Sequence, residues 1–147
     1  MRVVLIFAAV AALFYAAGNL NRQPAAHRLL KSDDFLWKAF LQCKLTADRK
    51  ISFDIAYTPE VRRMNGKEVT VSGFMVPLEA KEDFRHFLLS SRAPSCAFCP
   101  PGEPNELMEV FTAKPMKWQE EMVTLSGTLV LPDGGNKGVF FELKDAL

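Results

Sequence analysis

Two segments of the chain share an alternating pattern that a glycine interrupts near its middle. They read KEVTVSGFMVPLE at residues 67–79 and EMVTLSGTLVLPD at residues 121–133. Alternation of apolar and polar residues predicts β-strands. A glycine inside a strand of β-branched residues permits a sharp bend or bulge where a sheet coils on itself. Gly73 and Gly127 therefore predict two bent strands of a small barrel.

Three more segments are strand candidates: DFRHFLLSS at 83–91, ELMEVFTA at 106–113 and VFFELKDAL at 139–147. Five strands with bends in the first and the fourth resemble the OB-type Greek-key barrel, whose closure removes exposed strand edges. The predicted fold class is therefore mainly β, a small OB-like Greek-key barrel of about five strands with one N-terminal amphipathic helix. The alternative is a flat antiparallel sheet with the helix lying across it.

The predicted helix covers residues 33–45. Asp33 and Asp34 can accept hydrogen bonds from the free N–H groups of its first turn. Apolar side chains recur at helical spacing at Phe35, Leu36, Phe40 and Cys43. Trp37 is expected in the core or at its rim rather than as a binding platform.

The N-terminus has the layout of a secretory signal: Arg2, then the apolar run VVLIFAAVAALFYAAG, then polar NLNRQ. The run is shorter than the roughly 20 residues that a membrane-spanning helix needs, which favours cleavage over a permanent anchor. We therefore predict a signal peptide, or a signal anchor, at residues 1–18, a linker at 19–32 and a single barrel domain at 33–147. The domain is expected outside the cytoplasm, and it contacts a membrane only if the leader is retained.

The amino-acid composition fits one globular domain, and the charge balance argues against nucleic-acid binding. The 147 residues are 49% hydrophobic, enough for one ordinary core. The chain has 18 basic and 17 acidic residues, and loss of Arg2 with the leader leaves 17 of each. Such a balance does not suit a nucleic-acid-binding protein.

The cysteine pair Cys96-Ala-Phe-Cys99 has three interpretations. One is a thiol–disulfide exchange centre, whose attacking thiolate lies at the start of a helix in a βαβ unit. Pro100, Pro101 and Pro104 follow, and prolines in this pattern cannot begin a long helix. Redox catalysis is therefore the least favoured interpretation.

The second interpretation is a metal site. Two thiolates at this spacing can bind one soft cation, and the predicted ligands are Cys96, Cys99 and His86. Structural zinc normally takes four ligands, which Cys43, Glu103 or Glu106 could complete. Copper(I) accepts fewer, softer ligands. His86 itself lies in a strand candidate, where a histidine is more often a half-exposed sheet residue.

The third interpretation is structural. A disulfide between Cys96 and Cys99, or from Cys43 to either, would fix the proline-rich loop in an oxidising compartment. Three cysteines leave one thiol over, which this interpretation does not explain. The acids Glu103, Glu106 and Glu109 are expected to be solvated, because no nucleophile or phosphate-binding loop accompanies them.

The segments MNGKEVTVSGFMVPLE, FRHFLLS and CAFCPPGEPNELMEV together resemble an uncharacterised family of secreted bacterial proteins, the domain of unknown function DUF3299. The likeness covers about residues 60–130. The matching positions are Gly66, Lys67, Gly73, Phe74, Met75, Pro77, Leu78, Phe87, Leu88, Cys96, Pro100, Pro101, Pro104 and Asn105. The chain departs from the family pattern at Cys99 and Gly102, and the cysteine permits either metal binding or a local disulfide.

This resemblance brings no established activity. It implies a periplasmic location and an accessory role beside an inner-membrane transporter component. The function expected is therefore a periplasmic, non-enzymatic accessory protein that binds zinc, copper or a transporter partner through the Cys96/Cys99 loop. An interaction domain with a loop disulfide is the alternative.

Overall fold

The computed structural model describes residues 34–47, 53–94, 102–132 and 138–147, so the predicted leader and linker lie outside the described residues. Its elements in chain order are helix α1 (Phe35–Leu41), strands β1 (Lys44–Ala47) and β2 (Phe53–Ala56), helix α2 (Pro59–Met64), strands β3 (Glu68–Val76) and β4 (Asp83–Ser90), a 3-10 helix (Pro104–Glu106), and strands β5 (Leu107–Lys117), β6 (Val123–Val130) and β7 (Glu142–Ala146). The fold is mainly β, as the alternating segments predict.

Strands β3 to β7 close into a barrel in the order β3-β4-β5-β7-β6, and β6 pairs with β3. All neighbours run antiparallel except β5 and β7, which are parallel. This is the strand order of the OB-type Greek-key barrel. Each of the five predicted strand segments coincides with one barrel strand, although β5 runs four residues beyond the predicted segment 106–113. The barrel prediction is confirmed, and the flat-sheet alternative is wrong.

The two predicted bends are places where a side chain would meet a neighbouring strand. A Cβ atom on Gly73 would lie 2.7 Å from the backbone oxygen of Ser90 in β4. A Cβ atom on Gly127 would lie 2.6 Å from the backbone oxygen of Lys144 in β7. Neither glycine has a positive φ. Glycine is therefore required at both positions by close strand approach and not by an unusual backbone conformation.

Helix α1 covers an edge of the barrel. Strand β3 pairs with β4 only over its last residues, from Phe74 to Val76, which leaves its earlier edge open. Asp34 caps the helix by accepting a hydrogen bond from the Leu36 N–H at 3.1 Å, and its second oxygen accepts one from the Ser72 N–H at 2.9 Å. Trp37 Nε1 donates to the Ser72 carbonyl at 2.7 Å. The side chains of Asp34 and Trp37 thus satisfy both backbone groups of Ser72 on the open edge of β3.

The predicted boundaries of this helix are wrong at the C-terminal end. Helix α1 ends at Leu41, and Lys44–Ala47 form β1, paired with β2. Strand pairing overrides the helical spacing of Cys43, although that residue is still buried. Phe35, expected on the packed face, is 63% exposed, whereas Trp37 is buried in the core as expected.

The hairpin β1–β2 and helix α2 are absent from the sequence-based prediction. Thr58 accepts a hydrogen bond from the Val61 N–H and Pro59 follows it, a helix-start signal that could have identified α2. The Tyr57 hydroxyl donates to the Phe140 carbonyl at 2.8 Å and ties this region to the barrel. Within the described ranges, every helix is too short or too polar to cross a membrane.

The barrel has two ends of different character. Because β3, β4, β5 and β6 alternate in direction, the end of β4 and the start of β5 lie together with residues 91–94 and 102–106 at one end, here called the loop end. The turns at residues 77–82 and 118–122 lie at the other, here called the turn end. Helix α1 packs against the 3-10 helix of the loop end, and Phe40 of α1 stacks on Phe141 with ring centroids 3.7 Å apart.

Candidate functional site

The predicted cysteine pair lies in the sequence between β4 and the 3-10 helix. Cys96 and Cys99 fall within residues 95–101, outside the described residues. The structure describes both flanks of this segment, up to Pro94 on one side and from Gly102 on the other. The geometry of the flanks therefore shows how the cysteine loop is attached to the barrel.

Glu106 joins the two flanks. Its backbone oxygen accepts a hydrogen bond from the Ser91 N–H at 3.0 Å. Its side-chain Oε1 accepts one from Arg92 Nε at 2.9 Å, and Oε2 accepts one from the Glu103 N–H at 3.2 Å. The carboxylate of this residue is only 1% exposed, while Arg92 is 47% exposed. We call this arrangement the Glu106 clasp, because one residue holds positions on both sides of the cysteine loop.

Buried polar residues concentrate around the clasp. Ser90, Ser91, Asn105 and Glu106 are all buried, and only Thr112 shares this property elsewhere in the described chain. Two of their atoms, Ser91 Oγ and Asn105 Oδ1, are buried without a hydrogen-bond partner. Since buried polar atoms are nearly always hydrogen-bonded, both are available to an ordered water molecule or a bound group.

The expectation that the acids are solvated is wrong for Glu106 and for Glu109. Glu106 is buried because the Arg92 guanidinium and a backbone N–H compensate its charge. Glu109 is 16% exposed and lies 2.6 Å from His86. A sequence signal for the first residue is Pro104 at the start of a helical turn with a glutamate at its third position. Nothing in the spacing indicates that Glu109 faces His86 on another strand.

His86 lies on the outer wall of the barrel rather than at the clasp. Its Nε2 is 2.6 Å from Oε1 of Glu109, and its ring stacks on Phe111 with centroids 4.5 Å apart and planes 6° apart. Lys144 Nζ lies 3.5 Å from the centroid of the same phenylalanine. Strand β5 runs between β4 and β7, so Phe111 is held between a histidine and a lysine.

The contacts of His86 on the outer wall leave one of its ring nitrogens for the predicted ligand role. The bond to Glu109 engages one ring nitrogen and leaves Nδ1, which is the usual second-shell arrangement of a metal-binding histidine. The side chain is 40% exposed. It lies four positions before Ser90, where β4 meets the loop end, and its participation with Cys96 and Cys99 stays a prediction.

The described residues do not form a metal centre by themselves, because no group of three or more His, Cys, Asp or Glu side chains there could hold an ion. Cys43 is a buried free thiol that follows helix α1, and its Sγ lies 3.9 Å from the Ala39 carbonyl of that helix. The alternative in which Cys43 forms a disulfide is therefore not the arrangement found. A metal ion would need the thiols of the cysteine loop.

The turn end carries a different polar site. An open groove of about 260 Å³ lies between the β3–β4 turn and the start of β4, lined by Glu79, Lys81, Asp83, Phe84, Arg85, His86 and Pro115. Glu79 and Lys81 form an exposed ion pair. The hydrogen bond and the charge of Lys81 lower the pKa of Glu79, and the charge of His86 lowers it further.

The comparisons with known proteins identify a family and supply no activity. The sequence model of a protein family described as "Protein of unknown function (DUF3299)" matches residues 19–136. The crystal structure of a DUF3299 family protein from Pseudomonas aeruginosa PAO1 is 23% identical and has a TM-score of 0.49. That similarity covers 63% of this chain and 64% of the other, so it spans less than two thirds of the Pseudomonas protein. No match was found among curated proteins.

Proposed function

The chain belongs to the DUF3299 family, whose function is unknown, and from that premise we propose that it is a periplasmic binding domain that holds a soft metal ion through its Cys96/Cys99 loop. Zinc and copper(I) are the ions that suit two thiolates. The domain acts as an accessory protein and not as an enzyme. An inner-membrane transporter component is the partner to which it would present the ion or the loop.

The observation that carries this proposal is the Glu106 clasp. A loop whose ends are free loses conformational entropy when its ligands converge on one ion. The clasp fixes Ser91 and Arg92 before the cysteines and Glu103 after them. Holding both flanks in advance reduces that entropic loss, which is how preorganisation raises affinity.

The side chains that could complete a zinc site beside the two cysteines are selected by their exposure and by the hydrogen bonds they already make. Glu106 is an unsuitable ligand because Arg92 and the Glu103 N–H engage both of its carboxylate oxygens. Glu103 is exposed on the same flank and could bind zinc through oxygen. His86 could bind it through Nδ1. Copper(I) would need neither, since two thiolates already form a low-coordinate soft site.

Metal analysis tests the proposal directly. Protein purified from the periplasm should carry a stoichiometric amount of zinc or copper, and the Cys96→Ser/Cys99→Ser variant should carry none. His86→Ala and Glu103→Gln would lower zinc affinity and leave copper(I) affinity unchanged. Lys144→Met is the matched control, because it alters the outer wall without removing a metal ligand.

The outcome that overturns metal binding is equal, negligible metal in the parent and the double cysteine variant. Mass mapping of native disulfides would then decide between the remaining functions. A Cys96–Cys99 disulfide would favour an interaction domain whose proline-rich loop docks on a partner. Two reduced thiols with rapid alkylation at neutral pH would favour thiol exchange, because only the thiolate reacts.

A further inference from the structure

The turn end carries three of the seven large apolar side chains that are exposed in the described residues. Leu78 in one turn and Trp118 and Met122 in the other are 46%, 47% and 44% exposed. The pairing of Asp83 with Lys117 brings the end of the first turn beside the start of the second. Three exposed apolar side chains on two neighbouring turns offer apolar surface to an occupant of this end.

The same two turns are acidic. Residues 77–82 and 118–122 contain four glutamates, Glu79, Glu82, Glu120 and Glu121, against one lysine, Lys81, a net charge of −3. This charge disfavours contact with nucleic acid or with anionic lipid headgroups. It favours an occupant that carries basic and apolar side chains together.

The chain itself contains such a segment. Residues 19–32, NLNRQPAAHRLLKS, have three basic residues, Arg22, Arg28 and Lys31, and no acidic one, a formal charge of +3 with His27 neutral. The leucines at positions 20, 29 and 30 supply apolar side chains. The segment is therefore complementary to the turn end in both charge and hydrophobicity.

The point of attachment allows the two to meet. Asp34, which follows the segment, is fixed to the Ser72 N–H on β3, and β3 continues for four residues to Val76 at the turn end. That distance along a strand is about 13 Å. Fourteen residues of extended chain can span about 46 Å, so the segment has ample length to reach either turn.

We propose that residues 19–32 dock on the turn end of their own barrel, with their basic side chains facing the glutamates of the turns and their leucines against Trp118, Leu78 and Met122. This inference is independent of metal binding at the loop end. It gives the predicted linker a binding place on the barrel.

Collisional quenching of tryptophan fluorescence in the full chain tests the proposal. The chain has two tryptophans, and Trp37 is 1% exposed, so acrylamide quenching reports Trp118. A Trp118→Phe variant gives the contribution of Trp37. Reversing the charges in Arg22→Glu/Arg28→Glu/Lys31→Glu should roughly double quenching of Trp118, because repulsion replaces attraction at the contact.

A compensating exchange makes the test specific. Glu120→Lys/Glu121→Lys alone should also raise quenching, and combining it with the reversed segment should restore the parent value. In the parent, raising the salt concentration to about 0.5 M should increase quenching by screening the ion pairs. If the reversed segment leaves quenching unchanged, or the combined variant fails to restore it, docking is refuted. Quenching that depends on protein concentration also refutes it, in favour of contact with a second copy.

Discussion

Each end of the barrel has a glutamate paired with a basic side chain, but the glutamate is buried at the loop end and exposed at the turn end. At the loop end, the carboxylate of Glu106 is buried and hydrogen-bonded to Arg92 and to a backbone N–H. At the turn end, Glu79 and Lys81 form a pair in which both side chains are more than half exposed. Removal of a partner from a buried charge is strongly destabilising, whereas most exposed pairs contribute little. The buried Glu106–Arg92 pair at the loop end should therefore contribute more to stability than the exposed Glu79–Lys81 pair at the turn end.

The largest expected effect comes from the close strand contact beside the loop end. A valine at position 73 would place its Cβ atom 2.7 Å from the backbone oxygen of Ser90, and backbone cannot move aside without breaking strand pairing. Gly73→Val should therefore destabilise the protein by about 3 kcal/mol, as should Gly127→Val against β7. The measurement is the midpoint of urea unfolding.

Glu68→Val is the matched control, because it places valine at an exposed position of the same strand. It should change stability by no more than about 0.5 kcal/mol. Glycine variants that unfold at the same or a higher urea concentration than the parent would show that strands do not approach closely at these positions.

The next effect in size tests the clasp. Arg92→Met removes the guanidinium and leaves the Glu106 carboxylate buried, and it should destabilise the protein by about 2 kcal/mol. Glu106→Gln should have a smaller effect, because the half-exposed Arg92 that remains can be solvated. Chemical unfolding of the two variants measures the difference. An equal or reversed order would mean that the carboxylate does not depend on Arg92.

How far the sequence predicts these features depends on the range of the interactions. The barrel can be predicted because the alternating pattern indicates strands and the glycines at positions 73 and 127 indicate where two of them bend. The end of α1 cannot be predicted in this way, because β1 forms only through its pairing with β2. The Glu106 clasp cannot be predicted from the sequence either, since it depends on contacts of Ser91 and Arg92 with Glu106 across a loop. Glutamates are usually exposed, and only the folded chain shows which one is buried.

The outer wall at His86 should give a still smaller effect. His86→Ala removes the stack on Phe111 and the bond to Glu109, and it should destabilise the protein by about 1 kcal/mol, because both contacts are partly solvated. His86→Phe keeps the stack and removes only the bond, which separates the two contributions. Thermal unfolding of both variants checks this. A loss as large as that of Arg92→Met would place His86 among the residues that hold the fold.

The smallest effect concerns Glu79 and Lys81, and it appears in titration rather than in stability. The hydrogen bond and charge of Lys81 lower the pKa of Glu79 in the folded chain from its ordinary value of 4.5. A lowered folded-state pKa stabilises the protein fully above the unfolded-state pKa, and this stabilisation is lost as the pH falls through the folded-state pKa. The window is therefore acidic, at and below pH 4.5.

Lys81→Met should return the pKa of Glu79 towards its ordinary value, which NMR titration of the side-chain carboxyl carbon measures. It should cause no resolvable change in the urea midpoint at neutral pH, because both side chains of the pair are more than half exposed. Lys117→Met, which leaves Lys81 in place, should not move that pKa. If Glu79 titrates identically in the parent and in Lys81→Met, the pair does not form in solution, and the contrast between a buried charge that holds the loop end and an exposed one at the turn end would rest on the Glu106 clasp alone.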